Sequence, residues 1–357
     1  MCAVTSISRF EEQPGELPPS SKINCDLEMS LTSVVIPCYN QAQFLAEAIE
    51  SVLAQTYREI EIIVVDDGSP DDTREVVSRY PGVRYMRQEN QGLAGARNTG
   101  FKQSKGEYVV FLDADDHLTP NAIESHLSCF AEHSETGFVV GDIDHMTLNG
   151  SYAGSPRWPL LESNQYEALL RVNHVANTIA VMFRREVLEE LGGFKPACSP
   201  AEDYELLLRA ARFFPSCHHR TVVAQYRRYS AGLSRKGTLM LPAMNYVMRL
   251  EREKVKDNPV LLEAWRKGDA YWKDHFGAAA VKELLGCLRS EQLGGAARAG
   301  AALIRFVGFR ILVLPWKRRR RVLNLLRQRP GVRQKVAPIH PVIPVAAGSK
   351  EAPSSKS

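Results

Sequence analysis

Two carboxylates, Asp113 and Asp115, stand one residue apart where the apolar run Val109-Val110-Phe111-Leu112 ends. A strand buried through that run would carry both acids to its carboxyl end, where open α/β sheets bind their ligands. Hard divalent cations bridging a diphosphate use one or two carboxylates together with phosphate oxygens, a donor set that Asp-x-Asp can open. Taken alone, the pair reads first as a solvated acidic turn after a strand. Asp66-Asp67-Gly68-Ser69 closes another apolar run, Glu61-Ile62-Ile63-Val64-Val65. A carboxylate there can accept from the N–H or O–H of a base or ribose, although an ordinary strand-to-helix turn capped by Ser69 or Asp72 explains it too. Asn90-Gln91-Gly92-Leu93-Ala94-Gly95-Ala96-Arg97-Asn98 joins glycines that permit close backbone approach to an arginine suited to phosphate or carboxylate. It is equally a plain helix start. Glu202-Asp203-Tyr204-Glu205 opens a helix, where the macrodipole favours acids whatever their function.

The elements that must position these residues follow from periodicity. Leu31-Thr32-Ser33-Val34-Val35-Ile36-Pro37 reads as the first buried strand. Residues 43–55 place Phe44, Leu45, Ala48, Ile49, Val52 and Leu53 at helical spacing. A strand at 61–65, a helix at 72–80, a short strand at 83–86, a helix at 94–104 and a strand at 108–112 continue the alternation. Such alternation predicts right-handed βαβ units around a parallel sheet, with three polar strand ends converging on one edge. Beyond Asp116 the pattern loosens: helices at 121–133, 184–191 and 202–213, strands at 138–142 and 180–183, and a helical stretch at 239–289. No motif guides the reading of residues 144–174.

In this order and spacing the segments resemble the family 2 glycosyltransferases of the GT-A fold. The resemblance rests on Val35-Ile36-Pro37-Cys38-Tyr39-Asn40, Val65-Asp66-Asp67-Gly68-Ser69, Gly92-Leu93-Ala94-Gly95-Ala96-Arg97-Asn98, Phe111-Leu112-Asp113-Ala114-Asp115-Asp116, the run from Arg184 to Phe194, and Glu202-Asp203-Tyr204-Glu205-Leu206. It covers residues 31–234, and although each motif is weak the ordered set is specific. It implies a mainly parallel, Rossmann-like mixed sheet flanked by helices, with a helical C-terminal extension. It further implies that Pro37 and Tyr39 line a base pocket, that Asp67 reads the nucleobase, usually uracil, and that Asp113 lies near the ribose and donor sugar. Asp115 would hold Mg²⁺ or Mn²⁺ against the diphosphate, Arg97 would contact the donor, and Asp203 matches the catalytic base of an inverting enzyme. Gln225-Tyr226-Arg227-Arg228-Tyr229 nearly matches the Gln-x-x-Arg-Trp of processive synthases, but Tyr229 stands where they carry tryptophan. The same residues fit the looser ending of non-processive members, Tyr226-Arg227 followed by Ser234, in which a histidine often occupies the place of Tyr229. Transfer of a single sugar to a glycan or polyprenyl-linked acceptor, in bacterial surface polysaccharide synthesis, is the expectation. A catalytically silent GT-A protein that binds glycan or membrane is the alternative, opposed by the retention of Asp67, Asp115 and Asp203. Nucleotidyl transfer would need a Gly-rich phosphate loop after the first strand, which this sequence lacks.

Charge is unevenly spread over the 357 residues. The net charge is +4, yet residues 293–335 hold 12 Lys or Arg and no acid, which leaves the remainder at −8. Leu303 to Trp316 is apolar but broken by Arg305 and Arg310, and Lys317-Arg318-Arg319-Arg320-Arg321 follows. Two internal arginines argue against a spanning helix. An interfacial helix on an anionic membrane fits the pattern, as does a helix packed on the domain with a solvated basic end. No nucleic-acid recognition motif accompanies the arginines. The expected organisation is therefore a disordered leader at 1–29, a GT-A domain at 30–238, a helical region at 239–329 with its basic amphipathic segment, and a disordered tail at 330–357. The seven cysteines are scattered and form no C-x-x-C pair, so neither a disulfide framework nor a zinc site is expected, and a reducing, cytoplasmic compartment fits. The leader lacks an apolar core of signal-peptide length, and the expected place is the inner face of the cell membrane.

Overall fold

The computed structural model describes residues 30–156, 164–175, 177–228 and 235–308. Four parallel strands lie side by side: β1 (Thr32–Cys38), β2 (Ile60–Asp66), β3 (Val83–Arg87) and β4 (Tyr108–Phe111). Strands covered on both faces read as continuous apolar runs, and β1, the carboxyl half of β2, and β4 are buried throughout. Helix α1 (Ala42–Leu53) buries Leu45, Ala48, Ile49 and Val52, the i, i+3, i+4, i+7 stripe of its sequence. A short α2 (Thr73–Ser78) follows β2, and α3 (Gly92–Gln103) leads into β4. Gly100 lets α3 sit directly on the sheet, since a Cβ there would meet Val35 Cγ1 at 2.3 Å.

Beyond β4 the sheet is mixed, because β8 runs antiparallel to both of its neighbours, β4 and β6. After the two-residue β5 (His117–Leu118), helix α4 (Ala122–Glu132) precedes β6 (Phe138–Met146), which pairs with the short β7 (Tyr152–Gly154). Helix α5 (Gln165–Arg171) comes next, then β8 (Val181–Arg184), α6 (Arg185–Leu191), α7 (Glu202–Phe213) and β9 (Ser216–Arg227). The strand order is β3-β2-β1-β4-β8-β6-β9-β5, with β7 on β6. β9 runs parallel to β6 and antiparallel to β5. Its twelve residues include His218, His219 and Arg220, and this polar content hides the strand from an apolar pattern.

Helices α8 (Gly237–Val255), α9 (Pro259–Arg289) and α10 (Leu293–Phe306) complete the described chain. The boundary expected at 238 falls in the first turn of α8, and one apolar cluster continues from the sheet through Met244, Val247, Trp272 and Phe276 to Leu303. Tyr204 on α7 donates to the Leu169 carbonyl at 2.7 Å and receives Trp272 Nε1 of α9 at 3.4 Å, so the C-terminal helices hold α7 in place. No helix among the described residues is long and apolar enough to cross a membrane. The 1–29 leader, Tyr229, Ser234, Lys317 to Arg321 and the 330–357 tail lie outside the described residues.

One expectation is corrected. Cys129 of α4 and Cys217 of β9, 88 residues apart, are joined by a disulfide. The pairing depends on β9 lying beside α4, which cysteine spacing does not encode.

Candidate functional site

The three polar strand ends meet as the register dictates. Cys38 is paired with Asp66, the Asp67 amide donates to the Cys38 carbonyl at 2.9 Å, and the Leu112 amide donates to Val35 at 3.0 Å. Above them opens a cleft of about 750 Å³, and Pro37, Tyr39, Asp67, Arg97, Asp113, Asp115 and Asp203 all line it. Residues from Pro37 to Asp203 are thus gathered into one site.

The two acids of the first pair have different duties. Asp66 is fully buried: its Oδ1 accepts from the Ser69 amide at 2.7 Å, and its Oδ2 from Tyr85 at 2.6 Å and Arg87 at 2.8 Å. Burial by itself would raise this carboxyl, but the Tyr85 and Ser69 hydrogen bonds with the Arg87 charge hold it below the usual range. Asp66 therefore builds the turn, and Gly68, at φ +78, completes it with a backbone that other residues rarely adopt. Asp67 lines the cleft, with Oδ1 held by Gln88 Nε2 at 2.7 Å and the Gln91 amide at 2.8 Å. Tyr39 is 52% exposed, an aromatic face available to a planar ligand.

Arg97 is only 2% exposed and joins two chain segments. It donates to Asp113 Oδ1 at 2.7 Å and to Glu202 Oε1 at 3.2 Å, and its guanidinium lies 5.2 Å from the Phe194 ring centre. Burial disfavours this cation, but Asp113, Glu202 and Asp203 more than restore it, so its pKa is raised. This geometry makes Arg97 the tie that fixes α7 against the Asp113 loop. Glu202, which the sequence shows only as a helix-opening acid, is its buried partner, and Glu202 Oε2 has no hydrogen-bond partner among the described residues. Asp203 is partly exposed to the cleft, and its Oδ1 accepts from the Tyr204 amide at 2.7 Å. Burial foremost, then Glu202, push its carboxyl up to about 6 against the pull of Arg97.

On the other wall, the end of β9 anchors the Asp-x-Asp loop. Arg227 donates through Nε to the Asp115 carbonyl at 2.7 Å and through its amide to Asp116 Oδ1 at 2.7 Å. Its remaining donors reach the Leu148 carbonyl and Glu47 Oε2, each at 2.6 Å. Asp116 is fully buried, its Oδ2 makes no hydrogen bond among the described residues, and burial foremost, then Asp115 and Asp113, raise it well above its usual value. Arg228, Arg235 and Lys236 bring positive charge to the same cleft. Burial first, and then Arg235, disfavour the Arg228 cation, so an anion between these side chains would be welcomed electrostatically.

The donor set fits a hard divalent cation. Three aspartates crowd one loop, and Asp115 lines the cleft with oxygen ligands suited to Mg²⁺ or Mn²⁺. Among the described residues no group of three or more His, Cys, Asp or Glu side chains is arranged to hold a metal ion alone. Diphosphate oxygens and water would have to complete the shell.

Residues 33–192 match the family model described as glycosyl transferase family 2. The chain carries a family 2 glycosyltransferase domain. An uncharacterized glycosyltransferase of Nostoc sp. is 36% identical over 177 residues, which are 46% of this chain and 54% of the relative. A chondroitin synthase of Escherichia coli is 29% identical over 193 residues, 53% of this chain and 27% of the relative. The chain thus spans about half, or less, of the length of the curated relatives it matches. Among solved structures, a mannosyltransferase of Pyrobaculum calidifontis in complex with GDP-Man and Mn²⁺ aligns with a TM-score of 0.52 at 20% identity, covering 88% of this chain and 84% of that one. TarS of S. aureus aligns with a TM-score of 0.52 at 18% identity, covering 74% and 54%. At such identities the likeness speaks for the fold, and the glycosyltransferase domain is a GT-A sheet with a helical C-terminal region.

Proposed function

We propose that this protein transfers one sugar from a nucleoside-diphosphate donor, a UDP-sugar by preference, to a hydroxyl of a glycan or polyprenyl-linked acceptor, with inversion at the anomeric carbon. The observation that carries the reading is the meeting, in one cleft, of an exposed ring at Tyr39, acids at Asp67 and Asp115, cations at Arg228, Arg235 and Lys236, and the partly exposed Asp203. Tyr39 and Pro37 would flank the base and Asp67 would accept from its edge. Asp113, oriented by Arg97, would border the ribose and donor sugar. Mg²⁺ or Mn²⁺ at Asp115 would offset the negative charge that builds on the departing diphosphate. The cations at the end of β9 would bind the same phosphates. Asp203 would take the proton of the attacking acceptor hydroxyl; a carboxyl at about 6 is ionised at neutral pH yet still basic enough to do so. Attack opposite the leaving group turns an α-linked donor into a β-linked product.

The basic segment 293–335 extends the proposal to a place of work. In its described part, α10 buries Ala296, Ala299 and Leu303 and leaves Arg298 and Arg305 exposed. With the arginines that follow, it would bring the cleft to an anionic membrane surface, at the cytoplasmic face, where lipid-linked acceptors lie. The deciding experiment is a donor screen across UDP-, GDP- and dTDP-sugars with Mn²⁺, read as release of the nucleoside diphosphate. Turnover of one donor, abolished by chelator, is expected. If the folded protein bound no nucleoside diphosphate by calorimetry and turned over no donor, the proposal would fail.

A further inference from the structure

Behind the cleft, α4 and β9 carry four metal-ligating side chains that the transfer chemistry does not use. His126 and Cys129 are one turn apart on α4, a spacing that places them on the same helix face. Cys217 and His219 are two residues apart on β9, the period of one strand face. They meet in matching pairs: Cys129 is bonded to Cys217, and His219 Nε2 lies 3.1 Å from His126 Nδ1. His126 and Cys129 are buried, and the two imidazole rings are 4.9 Å apart.

We propose that His126, Cys129, Cys217 and His219 form a redox-gated site for a soft divalent transition metal, zinc foremost, closed as a disulfide when oxidised and metal-ligating when reduced. Two thiolates and two imidazoles are a donor set that tetrahedral zinc takes. Two imidazole nitrogens on one such ion lie about 3.3 Å apart when each bond is about 2.0 Å; the pair here, joined by a hydrogen bond at 3.1 Å, is close to that separation and needs its rings turned toward the ion. The Cα atoms of the cysteines are 6.9 Å apart, so two thiolates can face one ion between α4 and β9 with little backbone movement. Among the described residues no metal-holding group of three is arranged as it stands, so the site must open before it can bind. Opening the site needs a dithiol reductant. Its thiolate attacks one sulfur, its second thiol resolves the mixed disulfide, and Cys129 and Cys217 emerge as thiols carrying two protons. Both protons leave when the metal binds.

Cobalt(II) titration of the full-length protein, reduced and held under argon, tests the site. One equivalent per chain is expected, with thiolate-to-cobalt charge-transfer absorption and tetrahedral d–d bands, displaced by zinc and absent from the oxidised protein. Cys129→Ser and Cys217→Ser should each weaken the thiolate band. Loss of an outer-shell partner alone costs about 10–100-fold in metal affinity, so His126→Gln and His219→Gln should weaken binding by at least tenfold. These two variants keep the test decisive if serine at 129 unfolds the chain. Asp115→Asn should leave the band unchanged, because oxygen ligands in the cleft give no thiolate absorption. Reduced protein that keeps its far-ultraviolet circular dichroism but binds no cobalt overturns the proposal. So does a thiolate band that survives both cysteine substitutions.

Discussion

Replacing Asp203 by Asn tests the proposed base and its electrostatics together. The substitution keeps an oxygen for the Tyr204 amide, which now donates to Asp203 Oδ1 at 2.7 Å, and removes only the charge. Burial, and then Glu202, lift this carboxyl from 3.8 to about 6. At about 1.36 kcal/mol per pH unit, that rise means the folded protein disfavours the ionised side chain by about 3 kcal/mol. The figure is an upper bound, because solvent reaches part of the side chain and screens it. The folded state holds this proton more tightly than the unfolded chain does. The stabilisation it brings is therefore complete below pH 3.8 and lost as the pH rises through about 6. Asn imitates the protonated acid at every pH. The variant should match the wild type in urea melts near pH 3.5 and exceed it at pH 8, by up to about 3 kcal/mol. In the transfer assay its kcat should fall by about 10²–10⁴, the usual contribution of a general base, with donor affinity unchanged. Near-normal turnover, or a stability difference that does not change between the two pH values, would refute the reasoning.

Wild-type kcat/KM should rise with pH through about 6, the value at which Asp203 ionises; Glu202→Gln should shift that limb to lower pH, read from the pH–rate profile. Arg227→Met removes a buried cation that ties Glu47, the Asp115 carbonyl and Leu148 together; Glu47 is half exposed, so the cost falls on the orphaned carbonyls, about 1–3 kcal/mol each, visible as a lower midpoint in urea. Tyr39→Ala should weaken nucleotide binding by about 1–3 kcal/mol, the worth of one base stacked on an aromatic ring, and Tyr39→Phe should not, both by calorimetry. Flotation with anionic vesicles should recover the full chain and lose a chain ending at Gly308; equal recovery would sink the membrane role.

The parallel half of the sheet was legible because burial on both faces leaves a plain mark: Val34-Val35-Ile36, Ile62 to Val65 and Val109 to Leu112 are unbroken apolar runs. Asp67, Asp113 and Asp115 were legible for a related reason, since they stand where such runs end; Asp203, at a helix start, was legible only through the ordered set of motifs. β9 was not, because Cys217 to Arg220 is polar and gains its strand pairing from β6 rather than from its own composition. Nor were the ties that shape the site. Arg97 meets Glu202 across 105 residues, and Arg227 meets Asp116 across 111. Such pairs are set by which strands become neighbours, as is the Cys129–Cys217 bond, and no local pattern announces them.

The place of β9 in the sheet also fixes when the site can exist. The last strand to be made does not join an edge; it enters between β6 and β5, and its final residue holds the Asp115 carbonyl. Strands β1 to β4 can pair within the first 82 residues of the described chain, from Ser30 to Phe111, and such nearby pairings form early. The loop that carries Asp113 and Asp115 must wait for residue 227. A nascent chain that ends at residue 200 can therefore own most of its parallel sheet and every cleft acid but Glu202 and Asp203, and still have no anchored metal loop. Ligand affinity arrives late and all at once, as a property of the finished sheet.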